Sequence, residues 1–147
     1  MADLERLAGK RVPLDTHVII YYLSGVEVFR GAVQALFREV ASGSVQGVVS
    51  VVTEAELRVG PEVERDEAAL RILDTFFAEF PGLLVAPVNR EVARLGARIR
   101  GETKLPLPDS LLVATAQAFH CPMIISNDRA WKAKTGMCEL LSLDDLI

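Results

Sequence analysis

Short runs of consecutive apolar residues recur along this chain with helical segments between them, and that rhythm limits the possible folds more than any other feature. The runs VVSVV (48–52) and MIIS (123–126) lack the apolar–polar alternation of a half-exposed strand, so both of their faces must be covered. Strands that alternate with helices imply parallel strands joined by crossover helices. The expected fold class is α/β: a three-layer α/β/α sandwich around a central, mainly parallel sheet of four to five strands. A length of 147 residues fits one domain over residues 1–147.

The elements read in order. RVPLD (11–15) is a first strand, and THVIIYYLSG (16–25) a short buried helix stopped at Gly25. Residues 28–41 carry Val28, Phe29, Val33, Leu36, Phe37 and Val40 on one helical face. GSVQGVVS is a second strand. A helix starts near Thr53 and is expected to stop at Gly60–Pro61, followed by another over 65–79. GLLVAP is a third strand, 89–100 a helix, PDSLLVATAQAF another, PMIIS a fourth strand, and CELLSL a short fifth.

Half of the residues are hydrophobic and 24% are charged, which excludes a disordered chain. The densest apolar run, VIIYYL, is far shorter than the ~18 residues of a membrane span. The opening MADLERLAGKR has no apolar stretch of the signal-peptide kind. Cys121 and Cys138 have no metal-ligand spacing and read as small apolar residues in a reducing compartment, which points to the cytoplasm. A net charge of −4 does not advertise a polyanion partner, yet Arg90 to Lys134 holds eight bases and four acids. A local basic surface is compatible with an acidic protein, as is a set of solvated helix faces.

Asp15 interrupts one of the most apolar stretches, VPLDTHVII. Asp15 follows the first strand, Glu56 lies just beyond the second, Asp109 opens the helix before the fourth, and Asp128 follows the fourth. In open parallel sheets the binding crevice lies beyond the carboxyl ends of the strands. Each acid also has an ordinary explanation. Asp15, Asp109 and Asp128 stand where a side-chain oxygen caps a helix, and Thr53 with Glu56 fits a capping box. As a group they differ, because two carboxylates ~4 Å apart repel by about 4 kcal/mol at an effective dielectric of ~20. That exceeds the roughly 1 kcal/mol of a cap. A cluster would hold protons or a cation, and all-oxygen ligation suits Mg²⁺ or Mn²⁺. Two histidines, His17 and His120, are too few for a typical zinc site, and His17 either hydrogen-bonds near the site or packs, with packing the favoured reading. No nucleophile elbow, P-loop or dinucleotide fingerprint is present.

PLDTHVIIYYLSG, TEAELRVG, LPDSLLVATAQAF and MIISNDRAW occur in this order and at spacings that resemble the four motifs of PIN-domain ribonucleases, in particular VapC-type toxins of toxin–antitoxin pairs. The resemblance runs from about Val12 to Trp131. It makes Asp15, Glu56, Asp109 and Asp128 the catalytic acids. Asp15, Asp109 and Asp128 become the metal ligands, and Thr16, Ser126 and Asn127 the supporting polar residues. Glu54 is a rival to Glu56 by charge but does not match the E-L-x-x-G spacing. The family implies Mg²⁺ (or Mn²⁺), hydrolysis of RNA to 3′-hydroxyl and 5′-phosphate ends, a small antitoxin partner and a homodimer, and no membrane. Lys104, Arg129, Lys132 and Lys134 flank the third and fourth acids and would track the RNA backbone. Trp131 would line the groove, pack in the core or stack on a base. Two other readings stand beside this one. A haloacid-dehalogenase-type phosphatase wants a second Asp two residues after the first, where this chain has His17. A non-catalytic PIN-like RNA-binding module is disfavoured by the intact set of acids.

Overall fold

The computed structural model describes residues 2–128, 131 and 138–146. Helix α1 (Ala2–Arg6) precedes strand β1 (Arg11–Pro13), and α2 (Thr16–Ser24), a 3-10 turn (Glu27–Phe29) and α3 (Arg30–Ala41) follow. Strand β2 (Gln46–Ser50) leads into α4 (Val51–Glu64) and α5 (Glu67–Glu79). Then come β3 (Leu83–Ala86), α6 (Arg90–Thr103), α7 (Leu107–Ala118), β4 (Met123–Ile125), β5 (Glu139–Leu141) and a 3-10 turn (Leu143–Leu146).

All strand pairs are parallel, in a three-stranded sheet ordered β1-β2-β3 and a two-stranded sheet of β4 and β5. The expected single sheet of four to five strands is therefore smaller and divided. One isolated parallel bridge, Leu14 with Ile125, joins the two parts. Strands of three to five residues offer few ladder bonds, and β1 ends where Asp15 turns the chain into α2.

Both faces are covered, as the unalternating apolar runs require. Met123 and Ile125 belong to a core with α1, α2 and α3, built around Leu7, Ile19, Leu36 and Phe37. Ile124, between them, belongs to a second core with α6 and α7 that contains Val92, Leu112, Val113 and Trp131. Opposite Cβ directions along β4 thus feed two separate apolar layers.

Gly25 caps α2 in the left-handed region at φ 67°, as its sequence position suggested. Helix α4 departs from expectation because it runs through Pro61 for another turn. It stops at Arg65, which adopts φ 55°, while the Asp66 N–H donates to the Pro61 carbonyl at 2.9 Å. That bond satisfies a carbonyl of the last turn and closes the helix one turn beyond the proline. Asp66 then accepts from the Ala69 N–H at 3.1 Å and starts α5.

Gly82 holds the entry to β3. It sits at φ 76°, and a Cβ there would lie 2.2 Å from the Val40 carbonyl oxygen at the end of α3. Backbone cannot yield as a side-chain tip can. Gly82→Ala should therefore destabilise the fold by about 1–3 kcal/mol. Urea unfolding would show this as a lower midpoint at unchanged slope.

Candidate functional site

Strand β1 lies between β2 and the β4–β5 pair, so the chain steps to opposite sides after β1 and before β4. Such a switch point opens a crevice at the carboxyl ends of the two strands. Asp15 is the second residue beyond β1, after the bridging Leu14, and Ser126 is the first beyond β4. The Asp15 N–H donates to the Ile125 carbonyl at 3.0 Å, and the Leu14 N–H to Val48 at 2.8 Å, which fixes β1 between its neighbours.

Asp15 is 4% exposed, and its side chain does not cap α2. Instead the Ser126 hydroxyl donates to Asp15 Oδ2 at 2.9 Å, and the same Oγ accepts from the Asp128 N–H at 3.1 Å. One buried serine thus ties the first acid to the backbone of the fourth. His17 is solvent-exposed rather than packed, with Nδ1 3.8 Å from Asp15 Oδ2.

Glu56 does not act in a capping box either. Helix α4 starts at Val51, and its cap is Ser50, whose hydroxyl accepts from the Val52 N–H at 3.1 Å. That leaves Glu56 on the second turn, where Thr16 Oγ1 donates to its Oε1 at 3.0 Å. Thr53, buried beneath, lies 3.4 Å from the same hydroxyl. The rival acid Glu54 faces Arg58, which also holds Glu62 and Asp74 across α4 and α5. Of the two rivals, Glu54 is thus paired with an arginine and Glu56 with a hydroxyl.

Helix α7 begins at Leu107 after Pro106, with no side-chain cap, so Asp109 sits inside the first turn. There the helix dipole favours a carboxylate. Burial and the charges of Asp15, Glu56 and Asp128 act the other way and raise its pKa to about 6. Burial is also the main cause that raises Asp15, against the Ser126 hydrogen bond, His17 and the Thr16 backbone N–H. The field at Asp109 therefore links all four acids. Ser126 and Thr16 support acids as expected, whereas Asn127 does something else: its Oδ1 accepts from the Leu143 N–H at 3.1 Å and pins the last 3-10 turn.

Among the described residues, no three His, Cys, Asp or Glu side chains already converge on one point as a ligand set. Mg²⁺ keeps several waters and is usually held by only one or two carboxylates. Four oxygen-donor acids in mutual repulsion, with neither thiolate nor buried imidazole among them, fit such a hard, partly hydrated ion. The two thiols are elsewhere and unbridged, and burial pushes Cys121 up to about 11, so neither offers a thiolate.

Lys104 is exposed at the turn from α6 into α7, five residues before Asp109. Arg129, Lys132 and Lys134 lie outside the described residues. Trp131 is 1% exposed and belongs to the core with α6 and α7, so it is not available for stacking on a base. Sequence reading missed the Ser50 cap and gave Thr53 a capping role where it is instead buried beside Thr16. A hydroxyl at a strand end, three residues before another, was the available signal for both.

The PIN domain family model matches residues 12–136. No curated protein matches the sequence. Among solved structures, a chain of a toxin–antitoxin complex from Klebsiella pneumoniae is 23% identical with TM-score 0.64, covering 90% of this chain and 97% of that one. VapBC2 from Rickettsia felis, bound to a DNA fragment from its promoter, is 17% identical with TM-score 0.71 and coverages of 90% and 98%. FitAcB from Neisseria gonorrhoeae is 20% identical with TM-score 0.69 and coverages of 92% and 99%. At these identities the likeness is one of fold.

The raised Asp109 has a measurable consequence in the metal-free protein. Folded, it holds a proton up to about pH 6; unfolded, it releases it near the ordinary value of 3.8. Its contribution to stability therefore falls as pH rises between those values. In the presence of chelator, Asp109→Asn should melt at a higher temperature than the wild type at neutral pH. The difference should vanish below about pH 4.

Proposed function

The chain belongs to the PIN-domain family, and from that premise we propose that it is a Mg²⁺- or Mn²⁺-dependent endoribonuclease, the VapC-type toxin of a toxin–antitoxin pair. PIN domains are in general nucleases that use divalent metals. The observation that carries the reading is that Asp15, Glu56 and Asp109 are brought to the crevice without capping any helix, and share one electrostatic field with Asp128.

In this reading Asp15, Asp109 and Asp128 hold the ion, directly or through its waters. A bound divalent ion lowers the pKa of water and neutralises charge on the phosphate under attack. The rest is the work of the chain. Ser126 fixes the Asp15 carboxylate and the Asp128 backbone in one register. Thr16 fixes Oε1 of Glu56, and the exposed end of that side chain reaches solvent to orient water and take its proton. The low-dielectric wall behind Asp15 strengthens these interactions. In-line attack by water leaves 3′-hydroxyl and 5′-phosphate ends. Lys104, with Arg129, Lys132 and Lys134, neutralises the RNA backbone beside the acids.

A cavity of about 670 Å³ lies away from the acids, lined by Tyr22, Ile72, Phe76, Phe80 and Pro81 among others. It is largely apolar and brings no acids together, so it suits a partner segment rather than chemistry. Exposed Ile72 lines it and also a smaller apolar cavity with Ile20, Leu57 and Leu73. We assign it to protein partners: a small antitoxin, with a second copy of the chain as the other expected contact. No helix among the described residues is long and apolar enough to cross a membrane. We place the protein in the cytoplasm with its RNA substrate.

Cleavage of RNA with mapped fragment ends tests the reading. Outer partners of a metal site cost roughly 10–100-fold, so Asp15→Asn should lower the rate by more than about 100-fold. Chelator should abolish cutting, and added Mg²⁺ or Mn²⁺ should restore it. Full-rate cutting by Asp15→Asn would overturn the assignment. If four cations each neutralise one phosphate of a single strand, RNA affinity should fall about 50-fold between ~50 and ~200 mM salt. An affinity indifferent to salt would remove these residues from the RNA path.

A further inference from the structure

Trp131 is the only tryptophan in the chain, and its ring is sealed at 1% exposure in the core with α6 and α7. Its indole N–H has no hydrogen-bond partner among the described residues. A buried donor left in that state costs about 1–3 kcal/mol, and buried tryptophans usually find an acceptor. Phenylalanine, a smaller ring, would bring no donor there to satisfy. The unpaired N–H is not far from an acceptor: it lies close enough to the Asp109 carboxylate to favour its charged form, though short of a proper hydrogen bond. Through its backbone the same residue touches the fourth acid, since the Trp131 N–H donates to the Asp128 carbonyl at 3.2 Å. Trp131 therefore spans the third and fourth acids from behind, within the core.

We propose that the Trp131 indole N–H is a positioning group for Asp109, engaging one carboxylate oxygen when the other turns to a divalent ion. This rests on the metal-dependent reading above. An N–H donor cannot ligate a cation, so the indole acts on the carboxylate alone. The ring is sealed in the core cluster that also holds Leu111, Leu112 and Ile124, whereas Asp109, on the same helix as Leu111 and Leu112, is only half-buried. The carboxylate therefore has the freedom to move and the indole does not. Ion binding would settle the orphaned donor, coupling the core to the site.

A single tryptophan gives a single indole N–H resonance, so the full ¹⁵N-labelled chain can be titrated with Mg²⁺ and that one signal followed. The expected result is a displaced indole signal that saturates together with Mg²⁺ binding measured by calorimetry. Trp131→Phe should weaken Mg²⁺ binding roughly 10–100-fold. A core control, Ile99→Val, should lower the melting temperature and leave Mg²⁺ affinity unchanged. An indole signal that stays in place while Mg²⁺ binds overturns the positioning role, and so does wild-type affinity in Trp131→Phe. Absence of Mg²⁺ and Mn²⁺ binding to the wild type overturns the metal reading itself and this inference with it.

Discussion

The hydrogen bond from Ser126 to Asp15 is the contact on which the site depends. It crosses from the end of one strand to the end of another that is distant in sequence, and it is buried at both ends. The neighbouring backbone bond from Asp15 to Ile125 sets the distance between those strand ends. Ser126 also receives the Asp128 N–H, so the position of the fourth acid follows from the position of the first. A charge-assisted bond of this kind is shorter and stronger than a neutral one, and it offsets part of the cost of a buried carboxylate. The crevice geometry is thus set by the sheet, with little left to loops.

The same arrangement is a standing cost to stability. Asp15 and Asp109 are both raised above their ordinary values, mainly by burial, and each feels the charge of Asp128. Helix starts at Thr16 and Leu107 supply favourable dipoles but do not cancel the repulsion. A chain optimised for stability alone would place asparagine or serine at these points. Acids whose protonation is disturbed together, in a cleft, are a common sign of chemistry. The ion pairs across α4 and α5 show the contrast: there Glu54, Glu62 and Asp74 share one cation, Arg58.

Much of this was legible in the residues. The apolar runs without alternation announced strands covered on two faces, and Val12, Val48, Ile124 and Ile125 are all fully buried. The carboxyl-end placement of Asp15, Glu56 and Asp109 could be read directly from order and spacing. Whether those acids capped helices could not be, because a residue beside a helix start and a residue that caps it look alike in sequence. Ser50 took the role assigned to Thr53, and this freed Glu56 for Thr16. Pro61 misled for a similar reason. Helix α4 accommodates it, and the bond that closes the helix comes from Asp66, beyond the expected end. His17 read as packed because its neighbours Val18 and Ile19 are buried, but the helical turn points it outward to solvent. Pairing between strands is set by tertiary contacts, so the division of the sheet had no local signal.

That division has a mechanical meaning. Asp15 ends a strand of the three-stranded ladder, whereas Asp128 follows a strand of the two-stranded ladder. The two ladders are stitched by one bridge pair, Leu14 with Ile125. Beside that pair, the Asp15 N–H reaches the Ile125 carbonyl and the Ser126 hydroxyl reaches the Asp15 carboxylate. The join between the ladders is therefore concentrated at the crevice itself, so a substitution that removes a contact of the site also removes part of what holds the two ladders together.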